Sequence, residues 1–214
     1  MCGIIGYIGN KKASNVLISG LKRLEYRGYD SAGICTFEGT DLITSKCTGK
    51  VSDLERNIKK KKHDGIIGIG HTRWATHGIP NNINAHPHYD LSEKFSLIHN
   101  GIIENYIPLK KFLESKGYAF KSQTDTEVLV QFISYIYDKE KVSFFDSVRL
   151  ALKEVVGAYG IVVMHKENPD TLIAARNGSP LIVGLSKDEK FVSSDVSAVL
   201  EYTRNILYLE DGEI

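Results

Sequence analysis

The sequence predicts an α+β protein, in which antiparallel sheet carries helices on its faces. Two observations point there. Helical and strand patterns come in blocks rather than in strict alternation, and several neighbouring strand patterns are joined by hairpin-length turns. A length of 214 residues allows one domain, or one multilayer unit, with a sizeable core.

The elements follow in chain order. Gly3 to Ile8 reads as a short buried strand closed by Gly9-Asn10. Val16, Leu17, Leu21 and Leu24 fall at helical spacing, so an amphipathic helix is expected over about Ala13 to Glu25. "SAGICTF" and "DLITSKC" flank Glu38-Gly39-Thr40 as a hairpin. "VSDLERNIKKKK" reads as a helix that ends in lysines, and "GIIGIG" as a glycine-rich strand. Residues 71–90 show no period and are expected as one long loop, a length usually reserved for function or disorder. "FSLIH" is a strand running into Asn100-Gly101. Three helices follow: about 105–116 with Pro108 in its first turn, "TDTEVLVQFISYIYD" opened by a Thr124-x-x-Glu127 capping box, and "SFFDSVRLALKEV". Strands dominate from Ala158: "YGIVVMH", "TLIAAR", "PLIVGL", "KFVSS" and "NILYLE". Asp211-Gly212 signals a type I′ turn with only two residues to return, so a cut from a longer protein is expected.

Composition removes several function classes. The net charge is +1, which gives no electrostatic case for nucleic acid or an anionic membrane. No apolar run approaches the roughly 18 residues of a membrane span. Asn10, Lys11 and Lys12 interrupt the N-terminal apolar stretch too early for a signal peptide. Three cysteines, Cys2, Cys35 and Cys47, do not make a disulfide framework and suit a reducing, cytoplasmic setting.

Chemistry-bearing residues cluster in a few stretches. Cys2 follows the initiator methionine. It is either a small apolar residue opening a strand or, once Met1 is removed, a nucleophile beside its own α-amine. That amine titrates near about 7.7–8.0 and is a fair base at neutral pH. Asn100-Gly101 is either a turn or, since a helix follows, a pair of donors for an oxyanion. "HTRWATHG" offers Arg73 as a planar fork for a carboxylate and Trp74 as a packed ring or a lid. Asp125 at a helix start complements the dipole, or anchors a substrate ammonium. Five of seven histidines lie between His71 and His99, yet no His-Glu-x-x-His or Cys-x-x-Cys spacing supports a metal, so no metal and no cofactor are expected. A metal hydrolase and a non-catalytic binding module remain the alternatives to a thiol enzyme.

Read together, "MCGIIGYIG", "LEYRGYDSAG", "HTRWATHG", "NAHPH", "HNGIIENY", "TDTEV", "GAYG" and "SPLIVG" resemble the class II glutamine amidotransferase family. Within it they are most similar to the glutaminase domains of glutamine–fructose-6-phosphate amidotransferases, from residue 2 to the end. The resemblance implies an N-terminal nucleophile (Ntn) hydrolase fold, a four-layer α/β/β/α sandwich with two stacked antiparallel sheets. It implies a glutaminase domain over residues 2–214, which hydrolyses L-glutamine to glutamate and ammonia through a thioester. Cys2 would be the nucleophile, with Asn100 and Gly101 as the oxyanion hole. Arg73 and Asp125 would hold the α-carboxylate and α-amino groups, Thr76 and His77 would add contacts, and Arg27 would lie beside the nucleophile. Trp74 would close the site and gate ammonia. Full-length relatives carry a C-terminal sugar isomerase domain that binds fructose 6-phosphate and form homo-oligomers; that domain is absent from these residues.

Overall fold

The computed structural model describes residues 2–214. Its elements are β1 (Gly3–Ile8), α1 (Ala13–Leu24), β2 (Ser31–Glu38), β3 (Asp41–Thr48), α2 (Val51–Ile58), β4 (Ile67–Arg73), β5 (His88–Tyr89) and β6 (Phe95–Ile103). Then come α3 (Tyr106–Ser115), α4 (Asp125–Glu140), α5 (Phe144–Glu154), β7 (Gly157–His165), β8 (Leu172–Asn177), β9 (Ile182–Leu185), β10 (Lys190–Ser193) and β11 (Ile206–Tyr208). Short 3₁₀ turns lie at Glu25–Arg27 and Val196–Ala198.

The strands form two sheets, one in the order β11-β9-β10-β1-β4-β2-β3 and one in the order β5-β6-β7-β8. Every pairing between these strands is antiparallel. Three apolar clusters make the layers. Ile5 and Tyr7 of β1 pack with Leu17 and Leu21 of α1 and Leu54 of α2 outside the larger sheet. Leu97 of β6 and Ile161 and Val163 of β7 pack with Leu129 and Ile133 of α4 and Val148 of α5 outside the smaller one. Between the sheets, Ile4, Ile69, Ile98, Val162 and Met164 interdigitate. Alternate residues of one strand thus enter different cores, which is why "GIIGYI" and "GIVVMH" are apolar on both faces. The predicted α/β/β/α sandwich is borne out.

Several local expectations change. The lysine run does not extend a helix: α2 ends at Ile58, and Lys59–Lys62 lie beyond it. The 71–90 segment is not a single loop, because His71–Arg73 complete β4 and His88–Tyr89 form β5. Glycines at 65, 68 and 70 dilute the apolar period there, and cross-strand pairing to β1 and β2 on both sides supplies what the local pattern lacks. Asn100-Gly101 is not a turn either. The strand runs straight through to Ile103, with Gly101 at φ +123° opposite Tyr159. A Cβ at Gly101 would collide with the Ala158 carbonyl oxygen, so only glycine fits. The capping box is half formed. Thr124 Oγ1 accepts the Glu127 N–H at 3.2 Å, while the Glu127 carboxylate reaches past it to the Lys121 and Ser122 N–H groups.

Candidate active site

One pocket of about 270 Å³ opens at the end of β4 and β6, where the two sheets meet. It is lined by Cys2, Arg27, Arg73, Trp74, Thr76, His77, Asn100, Gly101 and Asp125, so every site residue that the family resemblance implies reaches it. Residue 2 immediately precedes β1 and residue 73 ends β4 of the larger sheet, 100 and 101 come from the smaller, and 125 from the first turn of α4.

Cys2 is half-buried, and its Sγ receives the Trp74 N–H at 3.1 Å. Burial pushes the thiol up from its ordinary range, and the Trp74 N–H opposes that rise. An N–H aimed at sulfur favours the thiolate, the nucleophilic form. The Cys2 carbonyl oxygen accepts from Asn100 Nδ2 at 3.1 Å. The chemistry of the α-amine depends on removal of Met1, which lies outside the described residues.

Arg73 is buried on β4. Its Nη2 donates to the carbonyl oxygens of His77 and Gly78, the latter at 3.0 Å, and so pins the following loop. Its Nη1 has no hydrogen-bond partner, with Asp30 Oδ1 at 3.9 Å. A buried guanidinium donor left open beside a pocket suits a carboxylate ligand. Asp125 is buried across the pocket. Its Oδ2 accepts the Ile103 N–H at 2.8 Å, and its Oδ1 stands 4.0 Å from His77 Nδ1. His77 Nδ1 has no hydrogen-bond partner, and its ring packs edge-on against Tyr106. Thr76 is an exposed residue on the rim.

Arg27 Nη1 donates to the Ser194 carbonyl at 3.1 Å and lies 3.7 Å from Asp195 Oδ2, which ties the 3₁₀ turn to the end of β10. Trp74 is 55% exposed and its indole lies over Gly28, where a Cβ would strike the ring. A large apolar ring half in water at a pocket mouth is placed as a lid would be.

The sequence reading missed other residues of this region. Asp30 accepts the Ala75 N–H and the Ser31 hydroxyl, and its own N–H donates to the Arg73 carbonyl at 2.7 Å, so it shapes the loop that presents Trp74. His86, His99, Thr126, Ser179 and Pro180 also line the pocket. His71 and Arg73 share one face of β4 by the two-residue strand period, a signal hidden by treating that stretch as loop. The buried histidines are hydrogen-bonded rather than metal-like. His86 Nε2 and His99 Nδ1 meet Thr126 Oγ1 at 2.9 and 3.0 Å, and His88 Nε2 meets Thr124 Oγ1 at 3.1 Å. Among the described residues, no group of three or more histidine, cysteine, aspartate or glutamate side chains could hold a metal ion.

Comparison with known proteins decides the family. Residues 71–201, more than half of the chain, match the glutamine amidotransferase domain. The chain belongs to that family. This amidotransferase domain is 57% identical over its whole length to a glutamine–fructose-6-phosphate aminotransferase (isomerizing) of Bacteroides thetaiotaomicron, and covers 35% of that protein. It is 49% identical to the Pyrococcus horikoshii protein of the same name, again over the whole chain and 36% of the relative. The chain therefore spans about a third of the length of these curated relatives. Among solved structures, the glutamine phosphoribosylpyrophosphate amidotransferase of B. subtilis superimposes with a TM-score of 0.82 at 29% identity. That match covers 99% of this chain and 45% of the other. The fold of this amidotransferase domain is thus that of the Ntn amidotransferases. No helix among the described residues is long and apolar enough to cross a membrane.

Proposed function

We propose that the chain hydrolyses the side-chain amide of L-glutamine, with Cys2 as nucleophile. One observation carries the reading. A thiol, two candidate oxyanion donors and two buried anchors of opposite charge converge on a pocket the size of one amino acid. Glutamine is a zwitterion with a reactive amide at its far end. Arg73 suits its α-carboxylate and Asp125 its α-ammonium, with Thr76 and His77 contacting the same end. Arg27 stays beside the nucleophile as a fixed positive wall.

Chemistry then runs from Cys2. With Met1 removed, the α-amine takes the thiol proton and sulfur attacks the amide carbon. The carbonyl oxygen becomes an oxyanion facing Asn100 Nδ2 and the Gly101 N–H; each such donor contributes about 2.7–4 kcal/mol to a transition state. Collapse breaks the C–N bond, and the protonated amine returns its proton to the leaving ammonia. Water hydrolyses the glutamyl thioester to glutamate and frees the thiol. Trp74 closes over the site and gates ammonia release.

The domain spans residues 2–214 and is the ammonia-supplying half of glucosamine 6-phosphate synthesis. Its partner is a C-terminal sugar isomerase domain that binds fructose 6-phosphate, in a cytoplasmic homo-oligomer. The relatives' names and the chain's one-third share of their length support the link to a larger fructose-6-phosphate aminotransferase. The test is glutamate release by the purified chain with Cys2 at its N-terminus. Cys2→Ala is expected to abolish release with an unchanged melting curve; turnover in that variant refutes the nucleophile assignment.

A further inference from the structure

The Asn100 carboxamide is nearly symmetrical in shape, and its two ends do opposite things. Nδ2 donates a hydrogen bond; Oδ1 only accepts. A half-turn of the amide would place Oδ1 toward the cysteine, where it would repel an oxyanion instead of stabilising it. Shape does not forbid that turn, because oxygen and NH₂ occupy almost the same space. Something polar must decide it.

We propose that His71 is the positioning residue that fixes the flip of the Asn100 amide, through an Nε2–H donated to Asn100 Oδ1. The inference rests on the glutaminase reading of this site. Its logic starts at the Cys2 carbonyl. A carbonyl oxygen can only accept, so the Asn100 atom 3.1 Å from it is Nδ2. The opposite end is then Oδ1, which also only accepts, and it lies 2.9 Å from His71 Nε2. His71 Nε2 therefore carries the hydrogen. His71 Nδ1 is buried with no partner, as the bare nitrogen of that neutral tautomer is.

The surroundings hold this state in place. His71 is fully buried, and its backbone is clamped between Ile4 of β1 and Gly33 of β2. Its ring packs at 4.2 Å against the His86 ring, with His99 and Arg73 also nearby. Burial drives the imidazole down to about 3, with the Asn100 hydrogen bond and, more weakly, the His99 backbone opposing it, so His71 stays uncharged across the physiological range. His71 belongs to the larger sheet and Asn100 to the smaller, so this hydrogen bond acts across the sheets and, with the Nδ2–H donated to the Cys2 carbonyl, holds the oxyanion donor from both ends.

The test uses two variants and one spectrum. His71→Leu keeps the volume and removes the donor. His71→Gln keeps an N–H at similar reach. His71→Leu is expected to lower kcat for glutamate release between about 10-fold and the roughly 10²–10³-fold that losing an oxyanion donor costs. Glutamine KM stays within about threefold, because the amide acts on the transition state and not on the α-groups. His71→Gln recovers most of kcat. Rates are normalised to thiols alkylated at the site, which removes any unfolded fraction. A His71→Leu kcat within twofold of the parent, or an equal loss in both variants, overturns the proposal. Long-range ¹H–¹⁵N spectra of the parent chain provide a second measurement, independent of folding in the variants. They are expected to show a neutral Nε2–H tautomer from pH 5 to 8, and an Nδ1–H tautomer or an imidazolium overturns the proposal. A parent chain with exposed Cys2 that releases no glutamate overturns the glutaminase reading itself, whereas an active parent with an unaffected His71→Leu overturns only the role of His71.

Discussion

Asp125 has a structural role and, in the proposed reading, a binding role as well. Its Oδ2 holds the buried Ile103 N–H, two residues beyond Gly101, while Oδ1 faces the pocket beside His77. Asp125→Ala therefore has two expected effects. Glutamine KM rises roughly 10- to 100-fold, as loss of a hydrogen bond to a charged group of ~1.5–3 kcal/mol implies. Unfolding free energy falls by about 1–3 kcal/mol, because the Ile103 N–H loses its acceptor. Steady-state kinetics and urea denaturation on the same preparation check both, and an unchanged KM reduces Asp125 to a structural carboxylate. Arg73 has the same double character: one nitrogen pins the carbonyls of residues 77 and 78, and the other is left open at the pocket. The spacing "HTRWATHG" exposes the residue types but not this division of labour, since the acceptors lie in the loop that Arg73 itself folds.

At the scale of elements, helix caps connect sequence to site. α4 begins at Asp125 because Thr124 accepts the Glu127 N–H, and that start fixes where the carboxylate points. α5 is capped in the same way by Ser143, which accepts the Asp146 N–H at 3.0 Å, but far from the pocket. Thr124→Ala and Ser143→Ala should each cost ~1 kcal/mol of stability by chemical denaturation. Only Thr124→Ala should also raise glutamine KM, and equal kinetic behaviour of the two variants contradicts the link between cap and anchor. The Thr124 cap is singled out from the sequence, whereas the Ser143 cap emerges only from the structure. The partner of the Glu127 carboxylate was not legible in the sequence, because Lys121 and Ser122 belong to a loop whose path is set by packing against α4.

For the whole molecule, burial of histidine sets the response to acid. His71 is lowered to about 3 by desolvation, His86 and His88 lie well below their ordinary value for the same reason, and His63, His99 and His165 are lowered too. An unfolded chain protonates these rings near about 6.5. The unfolded state thus binds more protons as pH falls below 6.5, and stability drops with pH in that window. It is complete above about 6.5 and is lost progressively toward 3. At pH 5 a histidine lowered as far as His71 costs about 2 kcal/mol relative to pH 7. Calorimetry should show the melting temperature falling between pH 7 and 5, before most carboxylates titrate. A flat profile over that range contradicts neutral burial of these rings.

Most of the elements, the antiparallel character and the residue types of the site are legible in the chain before it folds. Those properties are local: apolar period, turn chemistry and cap spacing act within a few residues. The sequence also supplied the family, through motifs spread from Cys2 to "SPLIVG". Tertiary structure alone decided that residues 71–73 are strand, that Asn100-Gly101 continues a strand, and that His71 meets Asn100. Each of those facts needs two sheets face to face, and the energy that holds them there comes from side chains distant in sequence, such as Ile4, Ile98 and Val162.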